Sequence, residues 1–287
     1  MTFALIATEK AIYPVDVLCT TLGVSRSGFY AWQQRPEAAR TIEDRRLRVA
    51  LRIAHAESGQ RYGSPRLHAV LRNRGDRISR KRVIRLMHRE QLRGRTPRRF
   101  RVTTASDPTA LAAANLLRQR FAVPLPDQVW AGDITAIDTR EGWLYLAVLL
   151  DLCSRTVVGW ALRSTLESDL VLGAWHMALG RRHRAPRIHH SDRGRPYTSV
   201  AYQQQLRRHG VRCSMSRPGN CYDNAPVESF FRTLKTEIAE RPQWATHREA
   251  AGAIAQYIER FYNRQRLHSS LGYRSPAAFE ATLREAV

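Results

Sequence analysis

The sequence predicts an α/β protein in which a mixed sheet with flanking helices is preceded by small all-α helix-turn-helix modules. Three observations predict this class. The amino-terminal third carries helical periodicity and a large basic excess. Three apolar runs separated by tight turns follow from Val129, and after Leu162 short strand-like runs alternate with helical ones. At 287 residues the chain has room for a catalytic unit of about 150 residues and smaller modules beside it.

The charge is strongly one-sided. Forty-seven Lys and Arg against 25 Asp and Glu give a formal net charge of +22, a field that draws polyanions and makes nucleic acid the expected partner. Residues 40 to 101 hold 20 basic and five acidic side chains, a surplus of 15. A merely solvated surface would intersperse acids more evenly, so this third is read as DNA-binding. Only Lys10, Lys81 and Lys235 are lysines; arginine supplies the rest of the field, and its planar fork suits phosphate. The longest apolar run, Leu144 to Leu150, is far below the ~20 residues that span a bilayer. Residues Met1 to Lys10 lack the pattern of a secretory signal, so a cytoplasmic, nucleoid-associated location is expected. Cys19, Cys153, Cys213 and Cys221 form no Cys-x-x-Cys pair, which argues against a zinc module and for buried free thiols.

In chain order, residues 1–35 read as a first helix-turn-helix module. Val15 to Cys19 is helical, Gly23 permits the turn, and Ser25 can cap a second helix bearing Arg26 near its start. Residues 36–102 read as a second, basic module. Ser64 is a plausible cap with Pro65 in the first turn, a break falls at Asn73-Arg74-Gly75, and Ser79 opens the next helix. There Val83, Leu86 and Met87 form an apolar stripe, while Arg82, Arg85 and Arg89 share another face and are candidate DNA contacts. Residues 103–126, rich in Thr, Ala and Pro, read as the linker to a catalytic core with a helical extension over 127–287.

In that core, Val129 to Ile137, Trp143 to Leu150 and Thr156 to Leu162 predict three hairpin-linked strands. Ser168 to Arg181 predicts a helix, Arg187 to His190 a short strand, Ser199 to His209 a helix, Val211 to Ser214 a strand, and a long helix starts near Asn224. This order is the pattern of an RNase H-like fold.

Three acids occupy informative places on it. Asp133 sits mid-strand between apolar neighbours, where an unpaired carboxylate is costly and needs a cation or donor. Asp192 follows the end of the fourth strand, the kind of place where open α/β sheets build ligand sites. Glu228 lies in the first turns of the long helix. Neighbouring first and fourth strands would bring the aspartates together with Glu228 across from them. Such hard oxygen ligands suit magnesium or manganese, expected as two ions, which can activate an attacking hydroxyl and stabilise a leaving oxygen in phosphoryl displacement.

At this point the sequence resembles a known group. Trp130 to Thr135, His190 to Gly194 and Asp223 to Phe231 look like the three catalytic motifs of the retroviral-integrase superfamily, with the 35 residues between Asp192 and Glu228 that the superfamily shows. The nearest likeness is to bacterial insertion-sequence transposases of the IS-three group, in their second reading-frame product. It extends to Tyr62-Gly63-Ser64-Pro65 and to Tyr262 through Tyr273. The resemblance implies a DDE transposase acting on double-stranded DNA, both element ends and target. It also implies catalytic roles for Asp133, Asp192 and Glu228 and DNA contact by Lys235, seven residues past the glutamate. Independently, Glu228, Arg232 and Lys235 share one helix face, so Arg232 and Lys235 are candidate phosphate contacts. A homo-oligomer on DNA is expected, and the family's upstream-frame product, or a frameshift fusion with it, is an expected partner.

Other residues carry blander expectations. His189 and His190 should pack or hydrogen-bond; Asp138, Asp151 and Asp223 should serve turns and caps; Trp143, Tyr145 and Trp160 should be core. Tyr197 and Tyr222 are placed in loops beside the acids as candidates for touching unpaired bases. Two rival functions stay open: a DNA-binding regulator without catalysis, and a structure-directed nuclease that hydrolyses without joining.

Overall fold

A computed structural model of the chain describes residues 2–96, 113–238 and 244–285. Residues 97–102 of the expected basic module and 103–112 of the expected linker lie outside the described residues.

The first module is three helices, α1 (Thr2–Glu9), α2 (Val15–Thr21) and α3 (Arg26–Gln34). Gly23 adopts φ +66° in the turn, and Ser25 caps α3 by accepting from the Gly28 N–H at 3.0 Å. Ile6, Cys19 and Phe29 form its small core. The helix α1, which nothing in the periodicity announced, is needed to close that core.

The basic module consists of α4 (Ala39–Glu57), α5 (Ser64–Asn73) and α6 (Arg80–Arg89). Ser79 caps α6 through the Arg82 N–H. The expected Ser64 cap is corrected: Gly63 holds the N-cap position with no side-chain bond, and Ser64 is already helical with Pro65 in the first turn.

The core sheet has five strands, β1 (Val129–Thr139), β2 (Gly142–Asp151), β3 (Val157–Arg163), β4 (Ile188–Ser191) and β5 (Arg212–Met215), in the order β3-β2-β1-β4-β5. The first three form antiparallel hairpins, and β4 and β5 join in parallel. Between and after them run α7 (Ser168–Arg182), α8 (Arg195–Thr198), α9 (Val200–Arg208), α10 (Ala225–Ile238), α11 (His247–Gln256) and α12 (Pro276–Glu285). This is the mixed sheet with flanking helices that the strand order predicts.

Strand alternation divides the core between two faces. Trp130, Ala147 and Leu149 point to one side, against Leu170, Trp175, Tyr202 and Leu206 of α7 and α9. Val129, Ala131, Val148 and Leu150 point to the other, where Val227, Phe230 and Leu234 of α10 meet them. That second core continues without a break into Leu47, Leu51, Leu67 and Leu86, so the basic module is packed on the catalytic unit. The contact is specific: the Tyr62 hydroxyl donates to the Gln265 carbonyl at 3.2 Å and accepts from the Leu267 N–H at 3.0 Å. Arg66 Nε donates to the Leu267 carbonyl at 2.9 Å. The two motifs Tyr62–Pro65 and Tyr262–Tyr273, far apart in sequence, therefore meet in space.

Residues 113–119 are bonded into the core. The Leu116 N–H donates to Ser214 Oγ, and the Asn115 and Gln119 amides donate to the Asp223 carboxylate. No helix among the described residues is long and apolar enough to cross a membrane.

Two expectations about aromatic residues are corrected. Trp143 is 56% exposed, at the second position of β2, beside the turn that joins it to β1. Tyr197 is 1% exposed: it belongs to the short helix α8, which turns it under the sheet against His189 and Tyr202 rather than into a loop. Tyr145 and Trp160 are half-buried, and Trp160 Nε1 donates to Glu259 at 2.6 Å. Cys19 and Cys153 are buried free thiols, and Cys213 is a half-buried one.

Candidate active site

The pairing of β1 with β4 matches Ala131 with His190. Two residues further along each parallel strand direction come Asp133 and Asp192, so the aspartates stand at equivalent positions on the α10 side of the sheet. Asp133 lies mid-strand, opposite Val148 of β2; Asp192 lies one residue past the end of β4. Both are half-buried.

Each aspartate is held by a local amide. Asp133 Oδ1 accepts from the Ile134 N–H at 2.8 Å, and Asp192 Oδ1 accepts from the Gly194 N–H at 2.9 Å. The Tyr197 N–H donates in turn to the Gly194 carbonyl at 3.0 Å, which anchors that loop to α8. Gly132, beside Asp133, has no room for a side chain: a Cβ there would stand 2.9 Å from His189 Nε2 and 3.1 Å from the Tyr197 hydroxyl.

Glu228, in the first turn of α10 and half-buried, joins them. The start of α10 is fixed from two directions. Asn224 Nδ2 donates to the Gly132 carbonyl at 3.1 Å. Asp223, fully buried, accepts from Asn115, Gln119, the Arg217 N–H and the Arg217 guanidinium. The Arg217 contact holds the Asp223 carboxyl well below the usual carboxylate range despite its burial. Asp223 is thus an anchor for the loop before Glu228.

The electrostatics identify the three acids as one neighbourhood. Burial, then the nearby charges of Asp192 and Glu228, push the Asp133 carboxyl well above its usual range, while Ile134 and Lys235 oppose the shift. Burial also raises Asp192 and Glu228, opposed by the Gly194 amide and by Arg232 respectively. Lys235, exposed on the same helix face, is lowered by desolvation, and the Asp133 charge works against that. Among the described residues no group of three or more His, Cys, Asp or Glu forms a ready-made metal cage. The donor chemistry nevertheless fits a hard divalent cation: three carboxylate groups whose charging is disfavoured by burial and, at Asp133, by the neighbouring acids.

The other expected site residues divide. Arg26 and Arg89 are exposed, at the start of α3 and the end of α6. Arg232 is exposed on α10. Arg82 and Arg85 are half-buried, and both grip Asp44 of α4, at 2.8 Å and 2.7 Å. Burial would raise the Asp44 pKa, but the Arg85 and Arg82 guanidiniums outweigh it and hold the carboxyl below its usual value. The acid that takes them is 38 residues away in sequence from Arg82, and no local pattern marks it.

The histidines behave as expected. His189 Nε2 lies 3.0 Å from the Tyr202 hydroxyl and His190 Nδ1 lies 2.8 Å from Ser214 Oγ, both buried. Asp151 serves a turn, accepting from the Asp127, Cys153 and Ser154 N–H groups. Asp138 is an exposed strand residue opposite Trp143, not a cap. Tyr222 is 71% exposed in the 3-10 turn Cys221–Asn224 before α10. Sequence reasoning missed Asn115, Gln119 and Asn224; only the Asp-Asn pair ahead of Glu228 offered a signal.

Comparison with known proteins gives consistent matches. The integrase core domain pattern matches residues 124–221, a second pattern of the same description matches 209–276, and an HTH-like domain matches 42–100. The insertion element IS600 uncharacterized 31 kDa protein of Shigella sonnei is 44% identical over 263 residues, covering 91% of this chain and 97% of that protein. Transposase InsF for insertion sequence IS3A of Escherichia coli K12 is 42% identical over 284 residues, 98% of each. The HTLV-2 integrase catalytic core domain in complex with magnesium, in its trimeric form, aligns at a TM-score of 0.43 and 16% identity, over 55% of this chain and 98% of that one.

Proposed function

We propose that this chain, which belongs to the IS3 family of insertion-sequence transposases and shares their DDE-type transposition function, cuts and joins DNA with Asp133, Asp192 and Glu228 as its catalytic acids. The observation that carries the assignment is the register of β1 and β4, which sets the two aspartates side by side with Glu228 in their field. The three carboxylates would hold divalent metal, Mg2+ or Mn2+ and two ions in all. Bound there, the metal supplies Lewis-acid activation of the attacking hydroxyl and charge stabilisation at the leaving oxygen.

The chain's own residues do the rest. Lys235 and Arg232, presented on the Glu228 face of α10, offer cations to the phosphates flanking the reacting bond. Tyr222, exposed in the turn before α10, offers a ring to an unpaired base. Arg26 and Arg89 supply contacts from the amino-terminal modules, with residues 1–35 and 36–102 as DNA-binding units, 103–126 as the connection and 127–287 as the catalytic core. The working form we infer is a homo-oligomer on element ends and target DNA, nucleoid-associated in the bacterial cytoplasm, with the upstream-frame segment as a partner.

The test is a supercoiled plasmid carrying the element's inverted ends. With magnesium, joined or circular products are expected. Hydrolysis without joining would replace the reading by a nuclease, and end binding without any cleavage would replace it by a regulator.

A further inference from the structure

Gly132, whose neighbour Asp133 carries the first carboxylate, offers its carbonyl to Asn224 at 3.1 Å. A carbonyl only accepts, so the amide nitrogen of Asn224 must face it and Oδ1 must face away. Asn224 is 4% exposed, and among the described residues Oδ1 is a buried acceptor without a partner. Buried acceptors in native proteins have donors, from protein or from ordered water. Asn224 also stands four residues before Glu228, one turn earlier on the same side of the continuous helical path. Its carboxamide thus lies between the strand of Asp133 and the helix of Glu228.

The donors available in this neighbourhood are few. The three acids, once ionised, only accept, and Arg232 and Lys235, exposed on the Glu228 face of α10, make no hydrogen bond to Oδ1. Water molecules on a divalent cation are strong donors, and outer-shell partners of this kind orient the ligands of a metal.

We propose that Asn224 is a positioning residue for the metal centre: Nδ2 ties the Glu228 helix to the Asp133 strand, and Oδ1 accepts a hydrogen bond from a water carried by the bound cation. The proposal rests on the reading of Asp133, Asp192 and Glu228 as metal ligands.

The experiment is a Mn2+ titration of the full-length protein without DNA, read by calorimetry and by the shift in unfolding temperature, for wild type, Asn224→Ala, Asn224→Ser and the double variant Asp133→Asn/Asp192→Asn. The two Asn224 variants are expected to need roughly tenfold more Mn2+ at the midpoint, in the range usual for outer-shell substitutions, with binding to element-end DNA unchanged. A purely structural role would lower the metal-free unfolding temperature without moving the Mn2+ midpoint. That result in either folded variant overturns the proposal, and so does failure of both to fold. The double variant is expected to lose the Mn2+ response. If it binds Mn2+ as wild type does, the metal reading itself falls; if it loses binding while the Asn224 variants match wild type, only the role of Asn224 falls.

Discussion

Arg266 grips Glu237 through three hydrogen bonds, Nε at 3.1 and 3.0 Å and Nη2 at 2.9 Å, with both side chains buried. The Tyr257 hydroxyl adds a fourth hydrogen bond to Glu237 at 2.8 Å. Glu237 stands near the end of α10, and its carbonyl accepts from Arg61 and Arg95 of the basic module. The helix that carries Glu228 is therefore clamped at its far end by the carboxyl-terminal extension and the amino-terminal module together. Removing one partner strands a buried charge, so Arg266→Met should cost about 3–5 kcal/mol. Equilibrium urea unfolding checks this, and a loss below ~1 kcal/mol would show that the pair is not a clamp.

The catalytic acids predict a separation of chemistry from binding. Asp133→Asn, Asp192→Asn and Glu228→Gln should each reduce cleavage of an end-bearing plasmid to background, because each removes a negative oxygen ligand while leaving the shape intact. Gel-shift affinity for the element ends should persist. A wild-type cleavage rate in any one variant would remove that residue from the site.

The basic helix α6 should show two kinds of arginine. Arg82→Ala breaks one of the two guanidinium contacts of Asp44 and should lower stability by about 1–3 kcal/mol. Arg89→Ala, at an exposed position, should leave stability alone and weaken DNA binding evenly across sequences, flattening the salt slope by about one unit. An intact salt slope in Arg89→Ala would place the DNA path elsewhere.

His268 gives a pH dependence away from the acids. It is buried edge-on against the Tyr262 ring at 4.9 Å, and burial, then Arg266, Arg66 and Arg155, lower its pKa to about 2. The unfolded chain titrates near ~6.5. Between those values the unfolded state binds the extra proton, so this contribution is present above ~6.5 and is lost as pH falls below it. His268→Gln should therefore flatten the fall in stability between ~pH 6 and ~pH 4.5 by up to about 1.4 kcal/mol per pH unit. Urea midpoints across that range decide it; parallel slopes for variant and wild type would refute the buried neutral state.

Much of this was legible in the chain because it is local. Strand alternation around Val129 to Leu162, the Ser25 and Ser79 caps and the turn at Gly23 need only neighbouring residues to specify them. The three acids could be singled out through the motifs around them. The ion pairs of Arg82 and Arg85 were not, since helical spacing alone does not show that Asp44 on another helix stands within their reach. Trp143 and Tyr197 failed for a related reason: a period of two or a short loop-like run says nothing about which segment later covers it.

The sequence by itself determined where charge accumulates, which segments pleat or coil, and which residues are chemically able to bind a cation or a phosphate. Tertiary structure decided which of them meet. The parallel pairing of Ala131 with His190 sets Asp133 beside Asp192, the Asn224 amide ties the turn before the Glu228 helix to the Gly132 carbonyl, and Tyr62 joins the basic module to residues 265–267. Each contact spans tens to hundreds of residues and depends on which apolar faces are buried against one another, an outcome that the free energy of the whole core selects and no local window contains.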